Sequence, residues 1–165
     1  MKKYKQTEIP SVTITDKKNL VKVIKDFYNK NLQGKSVINK DLGITIHFKS
    51  AGKGELSYGR ALHAKKVAVI KCLETLMEVA EYNNFGKRKD KDNETVLGYL
   101  NFKAKVKIDN KMENVRISVL LKKNGKAYYN HEVNVKKQTS LIRIWYNRFQ
   151  SATRFDVAKV LTIWI

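Results

Sequence analysis

Apolar residues in the first half of the chain recur every three to four positions in two segments, the spacing of one buried face of an α-helix. The first segment covers about residues 17–32. Its apolar stripe consists of Leu20, Val23, Ile24, Phe27 and Tyr28. Asp16 precedes the segment with the side chain of an N-cap, and Gly34 follows it where a helix commonly ends. The pattern predicts a helix with a lysine-rich outer face.

The second helical segment is longer and covers about residues 60–83. Its expected buried face consists of Leu62, Val69, Leu73, Leu76, Met77 and Ala80. Two short extended segments precede it, Ser36 to Leu42 and Ile44 to Lys49, and a glycine-containing loop follows them at residues 50–55. The first half of the chain is therefore predicted to contain two helices with short strands between them.

The apolar period changes from 3.6 to 2 in the second half of the chain, after a charged segment at residues 86–95 that predicts an exposed loop. Apolar and polar residues alternate on both sides of a turn at residues 109–111: Phe102, Ala104, Val106 and Ile108, then Val115, Ile117, Val119 and Leu121. Asn124-Gly125 indicates a two-residue hairpin turn, followed by a third strand from Lys126 to about Val135. This order predicts an α+β fold, with the N-terminal helices packed on one face of a C-terminal antiparallel β-meander.

The strongest compositional signal is charge. The chain contains 34 Lys and Arg residues against 15 Asp and Glu residues, a formal net charge of +19. A folded domain with this excess repels itself until a polyanion neutralises it, as nucleic-acid phosphates do. A basic surface that only aids solubility is the alternative, and an anionic membrane surface is less suitable because no long amphipathic helix stands out. We expect the partner to be RNA or DNA, or a nucleoprotein complex.

The length of 165 residues suits one domain. We expect a flexible N-terminal arm over residues 1–15, with a short strand at most, and a single α+β domain that interacts with nucleic acid over residues 16–135. Residues 136–165 form a C-terminal extension whose apolar pattern leaves a helix and an edge strand as open alternatives.

Composition argues against disulfide, metal and membrane chemistry. Cys72, the single cysteine, lies inside a helical pattern, which fits a reducing compartment. The lysine-rich start is not followed by an apolar signal segment, and no segment approaches the roughly 20 apolar residues of a membrane span. His47, His63 and His131 have no companions at zinc-site spacing. We expect a cytoplasmic protein without a metal or another cofactor.

The predicted sheet has one face directed away from the helices. On it, Lys103, Lys105 and Lys107 would form a row with a spacing of about 6.6 Å, close to the separation of successive phosphates. The neighbouring strand would add polar residues to the same face: Arg116, Ser118 and Lys122. A face that is merely solvated is the alternative. Because both strands agree in the sign of their charge, we expect nucleic acid to bind here.

The expected hairpin register places His131 on this basic face. The pairs would be Leu120 with Tyr129, Ser118 with His131 and Arg116 with Val133. Surrounding cations lower the pKa of a histidine, which can then act as a base near neutral pH. A half-buried strand histidine is the alternative, and a bulge or slip stays open because Val133 and Val135 would share this face. His47 and His63 are competing candidates.

The loop at residues 50–60 is a second candidate for anion binding. It combines glycines with four polar residues immediately before a predicted helix: Lys53, Glu55, Tyr58 and Arg60. Backbone NH groups at a helix start favour anions, although the pattern is not that of a P-loop. An ordinary flexible connection is the alternative. Arg60 of this loop is expected to contact nucleic acid, and so are Lys49 and Tyr129 outside it.

Several stretches between residues 36 and 135 resemble a known family. They are the strand end Phe48-Lys49-Ser50, the Gly-Lys-Gly-Glu loop, the long helix, and the stretch Gly-Lys-Ala-Tyr-Tyr-Asn-His-Glu from Gly125 to Glu132. Together they resemble the large polyvalent protein-associated domains of phages and conjugative elements, and the related phage group of the barnase, EndoU, colicin and RelE-like nuclease superfamily. The resemblance implies a barnase- or RelE-like fold, with two helices followed by an antiparallel four-stranded sheet.

The resemblance also implies chemistry, because nucleases of that superfamily cleave RNA without a metal on the open face of the sheet. Such cleavage needs a base for the 2′-OH, an acid for the 5′-oxygen and cations for the phosphorane charge. By position the resemblance implies His131 as acid or base, Arg116 and Lys105 as a phosphate clamp, and Lys53 or Glu55 as an auxiliary group. The chain departs from the superfamily pattern, since it lacks an unmistakable Glu, Arg and His set on adjacent strands.

Two hypotheses for function remain. The first is a metal-independent ribonuclease of a mobile element, acting as a toxin whose partner would be an acidic antitoxin-like protein. The second is a non-catalytic binder of nucleic acid or of a nucleoprotein complex, such as a phage inhibitor of host defence of the anti-CRISPR kind. A weaker third hypothesis is a structural role in a larger assembly through the apolar C-terminal extension.

Overall fold

The computed structural model describes residues 5–50, 63–129 and 133–136. These residues form an α+β fold, as the sequence predicts, with three helices where two were expected. The helices are α1 (Leu20–Asn31), α2 (Ala64–Lys71) and α3 (Leu73–Val79). The strands are β1 (Ser11–Val12), β2 (Ser36–Ile38), β3 (Thr45–Phe48), β4 (Glu81–Lys87), β5 (Val96–Ile108), β6 (Lys111–Lys122), β7 (Ala127–Tyr129) and β8 (Val133–Lys136).

The long hairpin β5–β6 is the centre of the sheet. Its turn consists of Asp109 and Asn110, both with a positive φ, which is the two-residue turn that suits the twist of antiparallel strands. The strand order is β1-β5-β6-β7-β3-β2, with β4 also paired to β5 and β8 also paired to β6. This hairpin therefore positions every side chain of the predicted basic row.

The sheet is mixed, so the predicted antiparallel meander is not confirmed. β1 runs parallel to β5, and β3 runs parallel to β7. Parallel pairing requires a long crossover connection, and the chain between β3 and β7 is long enough to supply one because it contains α2, α3 and the β4–β6 strands. The register of β3 against β7 brings residues together that lie far apart in the sequence.

The N-terminal arm contains the short strand that the sequence allowed. The amide of Lys107 donates to the carbonyl of Pro10 at 2.8 Å. The side chain of Gln6 bonds the backbone of Lys105 twice, with Nε2 donating to its carbonyl at 2.9 Å and Oε1 accepting from its amide at 2.8 Å. The arm thus covers the edge of β5 beyond Lys103, where the pairing with β4 ends.

The helices pack on one face of the sheet. The alternating apolar residues of β5 and β6 are buried there, as predicted: Phe102, Ala104, Val106 and Ile108, with Val115, Ile117 and Val119. α1 contributes Ile24 and Tyr28, and the Tyr28 hydroxyl donates to the carbonyl of Lys49 at 2.8 Å. The opposite face of β5 and β6 carries mostly polar side chains, apart from a small buried apolar group that includes the paired Tyr99 and Leu120.

The helix boundaries differ from the predicted ones. α1 begins at Leu20 after Asn19, which has a left-handed φ of 53°, so the predicted N-cap at Asp16 is wrong. The carboxylate of Asp16 instead pairs with Lys71 of α2. The predicted helix 60–83 is broken at Cys72 and ends at Val79, because residues 81–87 pair with β5 as a strand. Residues 60–62 lie outside the described ranges.

Asn39 is a buried polar residue that holds the end of α3. Its side-chain Nδ2 donates to the carbonyls of Met77 and Ala80 at 2.8 and 2.9 Å, and its Oδ1 accepts from the amide of Leu42 at 2.9 Å. Carbonyls at the end of a helix lack hydrogen-bond donors within the helix, and the Asn39 side chain donates to two of them. Asn39 therefore ties the β2–β3 connection to the helical layer.

The β6–β7 turn contains three residues rather than the predicted two. The amide of Lys122 donates to the carbonyl of Lys126 at 3.0 Å, and Gly125 adopts a φ of 79°. Leu120 consequently pairs with Tyr128, not with Tyr129. The predicted pair of Arg116 with Val133 is also wrong, because Arg116 pairs with Asn134 and Ile117 with Val133.

Candidate nucleic-acid interface

The face of the sheet opposite the helices, here called the open face, presents a row of cations. Lys103, Lys105 and Lys107 are exposed, while the residues between them are buried against the helices. Arg116 is exposed directly opposite Lys103 on β6. We call these four residues the basic row. Their placement follows from the strict alternation of side chains along a strand.

Acidic residues neutralise little of the basic row. Glu81 on β4 lies opposite Lys103, and its Oε2 is 3.9 Å from the lysine Nζ. The Lys103 side chain stays 49% exposed, and an exposed ion pair of this kind contributes at most about 1 kcal/mol. Glu113 is buried on the other side of the sheet, where it pairs with Lys65. Lys103 therefore remains accessible to a phosphate.

A chain of polar side chains crosses the open face next to the basic row. The Ser118 hydroxyl donates to Oδ1 of Asn101 at 2.7 Å, and Nδ2 of Asn101 donates to Oδ1 of Asn84 at 2.9 Å. Ser118 is half-buried, and its hydroxyl oxygen keeps acceptor capacity after it has donated its proton. These bonds fix the centre of the face as a polar, uncharged band.

A second cationic group lies beyond this band, around the ring of Tyr128. Nζ of Lys49 is 3.9 Å from the centre of that ring, and Nζ of Lys122 is 5.5 Å from it. The His47 ring lies beside it, with 5.7 Å between the ring centres and 40° between their planes. We call His47, Lys49, Lys122 and Tyr128 the Tyr128 cluster. The parallel pairing of His47 with Tyr128 and the antiparallel pairing of Leu120 with Tyr128 place it on the open face.

The loop before β5 borders the Tyr128 cluster. Residues 88–95 are mostly exposed, as predicted, whereas Gly86 and Lys87 belong to β4. Asp92 anchors this loop by accepting a hydrogen bond of 2.6 Å from the Tyr99 hydroxyl. A shallow cavity of about 420 Å³ lies between the loop and the β6–β7 turn, lined by Glu94, Thr95, Lys122, Lys123 and Asn124. Lys122 thus belongs both to this cavity and to the cluster.

Most of the described residues that were expected to contact nucleic acid lie on the open face: Lys49, Lys103, Lys105, Lys107, Arg116, Ser118 and Lys122. Tyr129 is a correction. Its ring is fully buried against Phe48 on the helix side, because the one-residue change of register exchanges the two faces of β7. Tyr128 occupies the position that was expected for Tyr129. His131, Lys53, Glu55 and Arg60 lie outside the described ranges.

The remaining described histidine has a structural role. His63 precedes α2, and its Nδ1 accepts from the amide of Lys66 at 3.3 Å. Burial lowers the pKa of His63, and the charges of Lys66 and Lys65 lower it further. The described ranges contain no group of three or more His, Cys, Asp or Glu residues that could hold a metal ion. No helix within these ranges is long and apolar enough to cross a membrane.

The fold and this face define an α+β domain that presents a cationic sheet surface opposite its helical layer. A family model, described as large polyvalent protein-associated domain 3, matches residues 15–129. The match covers more than half of the chain, so the chain belongs to this family. Neither the search of curated proteins nor the search of solved structures found a significant match.

Proposed function

We propose that this protein binds nucleic acid on the open face of its sheet, with the basic row as the phosphate-binding element. The observation that carries the proposal is the exposure of Lys103, Lys105 and Lys107 on one strand face beside Arg116. The partner is RNA or DNA, alone or within a nucleoprotein complex. Membership in the large polyvalent protein-associated domain 3 family supports an association with a phage or another mobile element.

The spacing of the row matches the proposed ligand. Alternate residues of a strand lie about 6.6 Å apart, close to the separation of successive phosphates in an extended strand. Each lysine or arginine that neutralises a phosphate releases a counterion, and this release drives association without base recognition. The net charge of +19 adds long-range attraction for any polyanion. The basic row is the part of the surface where we expect the attracted polyanion to bind.

Charge reversal tests this proposal. Replacing Lys103, Lys105 and Lys107 with Glu should weaken binding of a single-stranded oligonucleotide by at least 100-fold, on the order of 1 kcal/mol per contact. Replacing Lys22, Lys25 and Lys30 with Glu on the exposed side of α1 is the matched control, because it changes the net charge equally. Equal losses in both variants, or no loss in the sheet variant, would contradict the proposal.

RNA cleavage is a second candidate function, favoured by the half-buried His47 on the open face, beside the Tyr128 ring over which Lys49 and Lys122 lie. The resemblance to metal-independent nucleases supports it and adds His131, Lys53 and Glu55 as further candidates for the chemistry. A ribonuclease would act as a toxin with an acidic antitoxin-like partner. A protein that only binds would suit a phage inhibitor of host defence.

Incubation of wild-type protein with RNA in EDTA separates these two roles. A metal-independent ribonuclease should cleave under these conditions, and His131→Ala should abolish cleavage while binding stays within a few-fold of wild type. The His47→Ala variant, measured in parallel, shows whether the histidine on the open face takes part in cleavage. If the wild-type protein does not cleave RNA, the ribonuclease hypothesis is refuted and the non-catalytic binder remains.

A further inference from the structure

Tyr128 is covered in an unusual way for a tyrosine with only 7% exposure. It is absent from both groups of buried apolar side chains that pack together, whereas its neighbour Tyr129 belongs to the main one. Within the described part of the chain, the groups over or beside its ring include the ammonium groups of Lys49 and Lys122 and the imidazole of His47, while Leu120 lies opposite it on β6. Its cover therefore includes two long, flexible side chains that can move away.

The two ammonium groups above this ring repel each other. Each gains a cation–π contact, but at a surface this attraction is weak. A nucleobase stacked on an aromatic ring gains more than such a contact, and each displaced lysine gains a phosphate partner. Exchange of the lysines for a base is thus favourable whenever a nucleotide with flanking phosphates reaches the cluster.

We propose that Tyr128 and His47 form a stacking subsite for an unpaired base of single-stranded RNA or DNA. Lys49 and Lys122 leave the tyrosine ring when the base enters, and they bind the phosphates on either side of it. This inference rests on the proposed binding of nucleic acid to the open face. It adds a preference for single strands, because a base inside a duplex is stacked and cannot lie against the ring.

The geometry of β6 sets the length of strand that can use both parts of the face. Arg116 of the basic row and Lys122 of the cluster lie on this one strand, six residues apart. Six residues of strand span about 20 Å, the length of roughly three extended nucleotides. An oligonucleotide of about four nucleotides should therefore reach from Arg116 to the subsite, and shorter ones should lose one of the two contacts.

The test compares an ordinary oligonucleotide with an abasic one of the same length, because the abasic strand keeps its phosphates but offers nothing to stack. Tyr128→Leu should weaken binding of the ordinary strand by about tenfold, the size of one base–aromatic stack. It should change the affinity for the abasic strand, and for a duplex of the same sequence, by less than twofold. Equal losses on the ordinary and abasic strands, or no loss on either, would overturn the inference.

A second measurement keeps the inference testable if Tyr128→Leu fails to fold. An oligonucleotide that carries 2-aminopurine should lose fluorescence when its reporter base stacks in the wild-type protein, and His47→Ala should reduce this quenching. Unchanged fluorescence on saturation with wild-type protein would overturn the subsite. If wild-type protein binds the ordinary and the abasic strand with equal affinity, the stacking subsite is also refuted, but binding of phosphates on the open face is not. If it binds neither strand, the proposed function itself is refuted.

Discussion

Lys103 and Arg116 lie directly opposite each other on β5 and β6, on the open face of the sheet. Like charges in directly opposed positions destabilise an antiparallel pair. Glu81 offsets part of this repulsion from the other side of Lys103, at 3.9 Å. The β5–β6 hairpin therefore keeps an unfavourable pair on the open face, which fits the proposed binding of a polyanion there.

Removing one member of this pair should stabilise the protein. Arg116→Thr is expected to raise the free energy of unfolding by about 0.5 kcal/mol, because it relieves the repulsion and threonine suits a strand. Lys107→Thr is the matched control, since Lys107 lies opposite the uncharged Met112. Urea unfolding measures both. The interpretation is wrong if Arg116→Thr gains no more stability than Lys107→Thr.

Asn39 should be among the most sensitive polar positions of the described fold. Asn39→Leu removes three hydrogen bonds and leaves two carbonyls and an amide without their partner, at an expected cost of about 3 kcal/mol. Asn39→Asp should cost at least as much, because a carboxylate cannot donate to the carbonyls of Met77 and Ala80. Thermal or urea unfolding measures these losses. The control is Asn83→Ala, because Asn83 is exposed and its replacement should cost less than about 0.5 kcal/mol. A loss of less than 1 kcal/mol in Asn39→Leu would contradict the role of Asn39 as a helix cap.

His63 should make stability depend on pH. Its pKa in the folded protein is below the ordinary value of 6.5, so the unfolded chain takes up a proton first as the pH falls. The contribution of His63 is therefore complete above about pH 6.5 and decreases as the pH falls towards the folded pKa. In His63→Asn, which keeps a side-chain acceptor before α2 but does not titrate, the loss of stability between pH 7 and pH 5 should be smaller. Identical pH profiles for the two proteins would rule this out.

Periodicity alone was sufficient to predict the open face. The alternation that buries Phe102, Ala104 and Val106 against the helices also directs the intervening lysines away from them. Alternation is a local property of the sequence, and β5 and β6 are long enough for it to be unambiguous. The α+β class could be predicted from the change of apolar period, and the exposed loop after β4 from its run of charged residues.

The Tyr128 cluster could not be predicted, because it depends on contacts between distant parts of the chain. The sequence offers no signal that β3 pairs in parallel with β7, which is what brings His47 beside Tyr128. The position of Tyr128 also depends on one extra residue in the β6–β7 turn. Since side chains alternate with a period of two, that residue moved Tyr129 into the core and Tyr128 to the open face.

The end of the second helical segment was also determined by a distant contact. Residues 81–83 were predicted as the end of this helix, but residues 81–87 pair with β5 as a strand, and the Tyr82 ring packs edge-on against Phe102. The pairing outweighs local helix propensity, which is a weak preference for any single residue. The break at Cys72 likewise has no sequence signal of the glycine or proline kind.

The salt dependence of binding tests the central claim most directly. Replacing Lys103, Lys105 and Lys107 with Gln should reduce the slope of log Kd against log salt concentration by about 2 for a single-stranded oligonucleotide, about 0.7 for each lost phosphate contact. The same replacement of Lys22, Lys25 and Lys30 on α1 should leave the slope unchanged. An unchanged slope in the sheet variant, or an equal reduction in the helix variant, would show that the open face is not where this protein holds nucleic acid.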